Sequence, residues 1–276
     1  MIWIYPTPSS EVLKTFYPDD NYYAYKDASG FKPKKGIKKA LSAFAHPFRT
    51  VDRIIYYYGL QLRRGFPNTL NGKVLDVGCG SGLFLDSLNP MIKKYGIEFN
   101  EKSLQKCKKK GIYAFAGFKD AQFKDDIFDV VSVNHALEHF PNPLDTIKEI
   151  YRILKPGGIL VIGIPNSRSI GFKLFRTKWF PLEVPRHTFL FSDRNLTAYL
   201  KSQNIYIKKV RHTAEAYCYI GSFFYTINDL FKLNKKLSDY EYLFNSSIIK
   251  LMCFPIVLLA KIFRVGDTIE IWAQKK

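Results

Sequence analysis

The stretch Val74–Gly82, Val-Leu-Asp-Val-Gly-Cys-Gly-Ser-Gly, decides the fold of this chain. Three apolar residues around Asp76 predict a buried strand that ends at Val77. Glycines then stand at positions 78, 80 and 82, and a helical pattern begins at Leu83. Glycine tolerates positive φ and lets a ligand approach the backbone closely, while a helix start offers unpaired N–H groups to a carboxylate or phosphate. We therefore predict a strand, a ligand-binding turn and a helix.

The spacing of these glycines excludes two common nucleotide motifs. A G-x-G-x-x-G fingerprint would need glycine at position 83, where Leu83 stands. A phosphate-binding loop would need Gly-Lys-Ser or Gly-Lys-Thr, and the stretch has neither. Taken alone, the stretch leaves open a tight strand-to-helix turn that binds no ligand.

Beyond the glycines, strands and helices alternate, which is typical of a doubly wound α/β sheet. Seven strands are predicted at 73–77, 95–98, 112–116, 128–133, 159–164, 205–211 and 268–273. The fourth should lie beside the first, where the strand order reverses and ligands bind outside the carboxyl ends of the strands. The second ends in Glu98, where a carboxylate can accept hydrogen bonds from both hydroxyls of a ribose.

Five motifs follow one another within residues 70 to 166. They are the glycine turn, Gly96-Ile97-Glu98, Phe128-Asp129-Val130-Val131, Leu137-Glu138-His139 and Leu154-Lys155-Pro156-Gly157-Gly158. In this order and spacing they resemble the class I S-adenosylmethionine (SAM)-dependent methyltransferases, in the branch that includes ubiquinone-type O-methyltransferases and sugar and lipid modifiers. The resemblance implies a seven-stranded Rossmann-like methyltransferase sheet, SAM as the methyl donor and S-adenosylhomocysteine as the product.

The resemblance also implies where the cofactor binds. Glu98 would hold the ribose, Phe99 would lie against the adenine, and Asn134 with His135 would line the methionine end. The expected cofactor-binding residues are Asp76, Gly78, Cys79, Gly80, Glu98, Phe99 and Asn134.

Two groups of side chains could serve the methyl acceptor. Similar enzymes carry a Pro-Arg-His run in the loop that covers the cleft, and this chain has it at Pro185, Arg186 and His187. A histidine can take a proton and an arginine can hold a phosphate or carboxylate. We expect His187 to be the base and Arg186 to bind the acceptor, with His187 as a packing residue of the loop as the alternative. His135 is the third candidate catalytic residue.

The run from His135 to His139 could also hold a divalent ion. Quinone O-methyltransferases have metal-binding acids and a histidine at the matching positions, but His135 replaces an acid here. We therefore expect Glu138 and His139 to be structural residues of this turn and no metal to bind.

Two additions flank the predicted core, which spans 71–213 and ends with a final strand in 267–276. Residues 1–70 form an N-terminal extension with one or two helices predicted in 36–64. Residues 214–266 form an apolar insert, whose run 248–263 is too short and interrupted to span a membrane. It suits a helical pair lying in a membrane interface, with Lys250, Lys261 and Arg264 toward anionic headgroups. The alternative is a helical subdomain that packs on the core or on a partner subunit.

The net charge and the cysteines limit which binding partners and which cell compartment we expect. The net charge of +18 favours polyanions such as nucleic acid, an anionic membrane surface or an acidic glycan, or reflects a lysine-rich composition. No Asn-Pro-Pro-Tyr type of motif follows the fourth strand, so nucleic acid is not the expected substrate. The four cysteines lack paired or metal-ligand spacing, which indicates a reducing compartment, and the first residues lack a secretory pattern. We expect a cytoplasmic protein, peripheral to the inner face of the membrane if the insert binds lipid.

These patterns together predict an O-methyltransferase that acts on a glycan or lipid-linked glycan at the cytoplasmic membrane face. The alternatives are a small-molecule or quinone O-methyltransferase, a nucleic-acid methyltransferase and a non-catalytic SAM-binding protein. The sequence leaves open the acceptor itself, the choice among O-, N- and C-methylation, and the oligomeric state.

Overall fold

The computed structural model describes residues 2–3, 12, 15–16, 72–233, 235, 243–244 and 246–276. The helices predicted within 36–64 lie outside the described residues. The chain divides into two compact units, one formed by 17–132 and the other by 1–16 together with 133–276.

Seven strands form a mixed sheet, as the sequence predicts. They are β2 (Lys73–Val77), β3 (Lys93–Ile97), β4 (Tyr113–Phe115), β5 (Phe128–Asn134), β6 (Leu154–Pro165), β8 (Ile205–Thr213) and β9 (Thr268–Lys275). Their order in the sheet is β4-β3-β2-β5-β6-β9-β8. A separate antiparallel pair joins β1 (Ile2–Trp3) to β7 (Phe189–Leu190). The order reverses after β2, so the Rossmann-like, doubly wound class is confirmed.

The unit formed by 17–132 carries the glycine turn. Its strands β2, β3 and β4 pair in parallel, with Val77 opposite Ile97 and Ile97 opposite Phe115. From residue 72 onward its helices are α1 (Leu83–Asp86), α2 (Glu101–Lys109) and α3 (Phe118–Ala121). Asn100 caps α2 by accepting a 2.9 Å hydrogen bond from the Ser103 N–H, and this side-chain cap fixes where the helix begins.

The second unit contains the antiparallel end of the sheet, since β9 pairs antiparallel with both β6 and β8. Its helices are α4 (Pro143–Ile153), α5 (Ile170–Phe175), α6 (Asp193–Ser202), α7 (Ala216–Leu230), α8 (Ser247–Met252) and α9 (Phe254–Ile262). A capping box of Ser192 and Asn195 starts α6. The last three helices form the described part of the insert. Among the described residues, no helix combines the length and the apolar character that crossing a membrane requires.

Several predicted boundaries differ from the structure, most of them by one or two residues. Strand β6 begins at Leu154 instead of Ile159. Within the added residues, Gly157 has a φ of 76° and its carbonyl accepts a 2.7 Å hydrogen bond from the Gln274 amide. Strand β3 ends at Ile97, which leaves Glu98 just beyond the strand. The predicted loop 165–191 contains a helix, two 3-10 turns and the short strand β7.

Candidate active site

The glycine turn after β2 depends on left-handed backbone. Gly78, Gly80 and Gly82 have φ values of 75°, 54° and 75°, a region that favours glycine. A Cβ at Gly82 would lie 2.6 Å from Ile112 Cδ1 and 2.9 Å from Cys107 Sγ. The turn is anchored where the N–H groups of residues 78 and 79 donate to the Ile97 carbonyl at 2.8 and 3.1 Å. Side chains larger than hydrogen would therefore distort it.

Glu98 holds this turn in place from the end of β3. Its Oε2 accepts a 2.9 Å hydrogen bond from the Gly80 N–H, and its Oε1 accepts one of 2.9 Å from the Asn100 N–H. The side chain is buried, and burial raises the pKa of Glu98 against the opposing effect of these amide donors. Because a carboxylate offers about four lone-pair positions, the two amides leave acceptor capacity for ribose hydroxyls.

The other residues predicted to bind the cofactor in this unit surround the same turn. Asp76 and Cys79 are buried, and Cys79 Sγ lies 3.8 Å from Cys107 Sγ. The hydrogen bond with Cys107, and then burial, raise the pKa of the Cys79 thiol, which therefore stays protonated. Phe99 is half exposed beside Glu98 and can stack on a planar base. A left-handed turn, a buried carboxylate and an exposed ring fit a nucleoside.

In the second unit, β5 ends at Asn134 and His135 follows it, and both polar side chains are exposed. His135 has a φ of 51°, and its N–H donates a 2.7 Å hydrogen bond to the Gly163 carbonyl. A Cβ on Gly163 would overlap the Asn134 amide oxygen, so the pair requires glycine there. A non-glycine residue with positive φ is strained, and such strain clusters at functional sites.

His135 faces the carboxylate of Glu138. Its Nδ1 lies 3.5 Å from Glu138 Oε1, and the two side chains are 39% and 1% exposed. Burial lowers the pKa of His135, but its interaction with Glu138 outweighs that effect and the net shift is upward. Burial raises the pKa of Glu138, yet His135, His187 and His139 together hold it at about 2. The carboxylate is therefore ionised and the histidine is a stronger base than usual.

His187, the expected base, lies inside the protein. Its side chain is 5% exposed, and its Nδ1 is 2.8 Å from the Pro181 carbonyl oxygen. Burial lowers the pKa of His187 to about 3, so the ring is neutral at pH 7. This placement favours the alternative role, packing within the loop, and makes His135 the better placed proton acceptor.

Arg186 is held by a residue that sequence reasoning missed. Its Nη2 lies 3.0 Å from Glu183 Oε2, and the same carboxylate oxygen is 3.8 Å from His187 Nε2. Glu183 has a positive φ and precedes the cis Val184–Pro185 bond. This segment is a turn and not a helix, so the spacing of the residues gave no signal for the contact. Through these two contacts Glu183 belongs to the predicted Pro-Arg-His group.

Three side chains of this unit could hold a metal ion. One ligand atom each of Glu138, His139 and His187 lie within 4.8 Å of one another. The His139 Nδ1 is 3.2 Å from the Arg186 carbonyl oxygen, a contact that orients the ring. Two histidines and a carboxylate are a familiar set for a divalent transition metal. That no metal binds stays a prediction.

Comparison with known proteins identifies the family. A model of the methyltransferase domain matches residues 51–209. A demethylmenaquinone methyltransferase of Geobacillus stearothermophilus is 33% identical over 126 residues, covering 41% of this chain and 54% of that protein. An uncharacterised protein of Methanocaldococcus jannaschii is 33% identical over 129 residues, covering 46% of this chain and 60% of that protein. The chain thus spans little more than half the length of these relatives.

A solved SAM-dependent methyltransferase of Archaeoglobus fulgidus has the same fold. It aligns with a TM-score of 0.53 and 21% identity over 85% of this chain and 99% of that one. The family model covers more than half of the 276 residues, and the glycine turn with Glu98 suits the nucleoside of the donor. The chain belongs to the methyltransferase domain family, and its methyl donor is S-adenosylmethionine.

Proposed function

We propose that this enzyme transfers the methyl group of SAM to a hydroxyl oxygen of a glycan or lipid-linked glycan at the cytoplasmic face of a membrane. The observation that carries the choice of oxygen is the pairing of exposed His135 with buried, ionised Glu138. A hydroxyl must lose its proton as it is methylated, so a positioned base accelerates the reaction. An amine acceptor would need such a base less.

Glu138 prepares His135 for this role. Its ionised carboxylate favours the tautomer with the proton on Nδ1, which leaves the lone pair of Nε2 to accept the proton of the hydroxyl. When the ring becomes charged, the carboxylate 3.5 Å away stabilises it. SAM supplies an electrophilic methyl group, and the remaining work of the enzyme is to orient the acceptor and exclude water.

Arg186 supports the choice of a charged acceptor. Its side chain is 29% exposed although it pairs with Glu183. A guanidinium has five N–H donors in a planar fork whose geometry matches a phosphate. A lipid-linked glycan carries such a phosphate next to its sugar, so Arg186 would bind the acceptor near the reacting hydroxyl.

A quinone is the second candidate acceptor. It is favoured by the relative from Geobacillus stearothermophilus, which is named a demethylmenaquinone methyltransferase and is 33% identical over 126 residues. A quinone precursor is apolar and has no phosphate. Arg186 would then be dispensable, whereas it would be required for a lipid-linked glycan.

Transfer of a tritiated methyl group to extracts of the source cell tests the proposal. We expect the label in the phosphate-bearing glycolipids of the membrane fraction, with loss of transfer for His135→Asn, which preserves tolerance of positive φ. His212→Asn, in β8, is the matched control and should retain activity. Label confined to water-soluble compounds would overturn the membrane acceptor, and label in quinones would favour the second candidate.

A further inference from the structure

Helix α9 is apolar on both of its sides. On one side Val257 and Ala260, together with Cys253 just before the helix, are buried and pack with Trp179 and Tyr219 in the hydrophobic core of their unit. The opposite side also consists of large apolar side chains, and it is exposed. A helix that is apolar all round belongs either in a protein core or against lipid. Half of α9 lies on the core, and the described residues place no apolar neighbour of that kind against its exposed half.

The exposed surface continues onto α8 and the end of α7, since α8 contacts both α7 and α9. We call it the apolar face. Its members are Ile227, Leu230, Phe231, Ile248, Leu251, Met252, Phe254, Leu258, Leu259, Ile262 and Phe263. Each of these side chains is between 42% and 75% exposed. Single exposed apolar residues are ordinary, but a contiguous set of this size marks an interaction surface.

The charge around the apolar face is positive. Lys250 lies in α8, Lys261 in α9 and Arg264 just after it, and residues 246–264 contain no acidic residue. The acid of α7, Asp229, is paired with Lys178 at 2.8 Å. A second copy of the chain would bring the same positive charges face to face, which opposes association. An anionic surface would be attracted instead.

The lengths of helices α8 and α9 determine in which way they could contact lipid. Helices α8 and α9 contain 6 and 9 residues, whereas a helix needs about 20 apolar residues to span a bilayer. Short helices with apolar side chains and flanking basic residues lie in the plane of the membrane interface, with the basic groups at the phosphates.

We propose that the apolar face docks onto an anionic lipid surface, with its large side chains among the acyl chains and Lys250, Lys261 and Arg264 at the lipid phosphates. This inference does not depend on the acceptor of the methyl group, because docking can be measured without SAM or acceptor. Docking would bring the enzyme close to substrates that reside in membranes.

Vesicle flotation of the full chain tests this docking. We expect the protein to float with vesicles of phosphatidylcholine mixed with phosphatidylglycerol, and to bind vesicles of phosphatidylcholine alone far less. Replacing Lys250, Lys261 and Arg264 together by glutamine should lower the partition coefficient about a hundredfold, since each basic residue near the surface contributes about fivefold. The triple variant Leu251→Gln, Met252→Gln, Phe263→Gln should lose binding as well.

Met91→Gln is the matched control, because Met91 is exposed and apolar but belongs to the other unit. It should bind vesicles like the parent protein. Thermal unfolding of each variant checks the fold, and the exposed positions chosen should leave it unchanged. Absence of vesicle binding by the folded parent overturns the proposal, and so does a stable dimer that the apolar triple variant converts to monomer.

Discussion

The Nδ1 atom of His135 lies 3.5 Å from Oε1 of Glu138, and this joins an exposed histidine to a carboxylate that is 1% exposed. The contact brings together a residue strained into positive φ and an acid whose pKa is held at about 2. Seven other described non-glycine residues also have positive φ, so the pairing with Glu138 is what distinguishes His135. This pairing is explained if the histidine must present a basic nitrogen to the acceptor.

The first prediction concerns the pH dependence of methyl transfer. His135 accepts a proton only when neutral, and its pKa is raised from 6.5. Activity should therefore fall as the pH drops through a value above 6.5. Glu138→Gln removes the charge that raises this pKa, so the acidic limb of the kcat/KM profile should move to lower pH while kcat falls by about tenfold to a hundredfold. The profile is measured on the labelled acceptor, and a limb that does not move would contradict the role of the pair.

The second prediction concerns the stability conferred by neutral His187. Its folded pKa is about 3 and its ordinary value is 6.5. The unfolded chain therefore binds one more proton than the folded chain between these values, and the free energy of unfolding falls as the pH decreases across this window. The slope approaches about 1.4 kcal/mol per pH unit. The contribution is complete above pH 6.5 and is lost progressively below it.

Urea denaturation between pH 5 and 6.5 compares the slope of the parent with that of His187→Gln. The comparison is needed because buried Glu98 and Asp267, whose pKa values burial raises, contribute a slope of opposite sign above their ordinary pKa and are present in both proteins. Glu138, with its pKa lowered from 4.5 to about 2, loses its stabilising charge only at lower pH. His135 contributes to the pH dependence of stability only above pH 6.5, because its pKa is raised from that value. His187→Gln should be less stable at pH 7 and should show a smaller slope in this range. An unchanged slope would show that His187 is not buried in its neutral form.

A structural feature could be predicted from the sequence when the residues that determine it lie close together in the chain, and not when they lie far apart. The cap of helix α2 is a local feature, because Asn100 and Ser103 are only three residues apart in the chain. The start of β6 was predicted five residues too late, at Ile159 instead of Leu154. Glycine shortly after a helix is usually a stop signal, and the contact of the Gly157 carbonyl with Gln274, 117 residues away, is not visible in the local sequence.

The same distinction explains which residues of the candidate active site could be predicted. The glycine turn and Glu98 are local to two strand ends, so their types and spacing identified them. The burial of His187 could not be predicted, because it depends on the Pro181 carbonyl and on Glu138, a residue 49 positions earlier in the sequence. A Pro-Arg-His pattern gives the residue types but contains no information on which of them faces solvent.

The third prediction separates two costs of adding a side chain at the glycine turn, which are backbone strain from positive φ and steric clash of the new Cβ. Gly82→Ala introduces a Cβ at a φ of 75° that meets Ile112 Cδ1 at 2.6 Å. Gly111→Ala is the matched control, with a φ of 71° and nothing within 4 Å of the added Cβ. We expect the control to cost about 1 kcal/mol of stability and Gly82→Ala to cost about 1–3 kcal/mol more. Denaturation curves give both values, and equal losses would show that the packing beneath the turn is loose.

The fourth prediction concerns binding of the donor. Glu98→Gln replaces one acceptor oxygen by a donor, so a backbone N–H, of Gly80 or Asn100, loses its partner. Hydrogen bonds to a charged group contribute about 1.5–3 kcal/mol, and we expect SAM affinity to fall by about tenfold to a hundredfold in calorimetry. Glu101→Gln changes an exposed acid in the first turn of α2 and should leave affinity unchanged. Equal affinities for all three proteins would remove Glu98 from the cofactor site.

The fifth prediction concerns metal removal. Glu138, His139 and His187 lie close enough to share an ion, but the Glu138 charge already faces His135, and His187 is buried and bonded to the Pro181 carbonyl. We expect activity to survive dialysis against a chelator, because the pair of His135 and Glu138 can take the proton without Lewis-acid help. Activity lost to the chelator and restored by Mg²⁺ or Mn²⁺ would contradict this. His187→Gln would then weaken metal binding, and the quinone-type acceptor would become the stronger candidate.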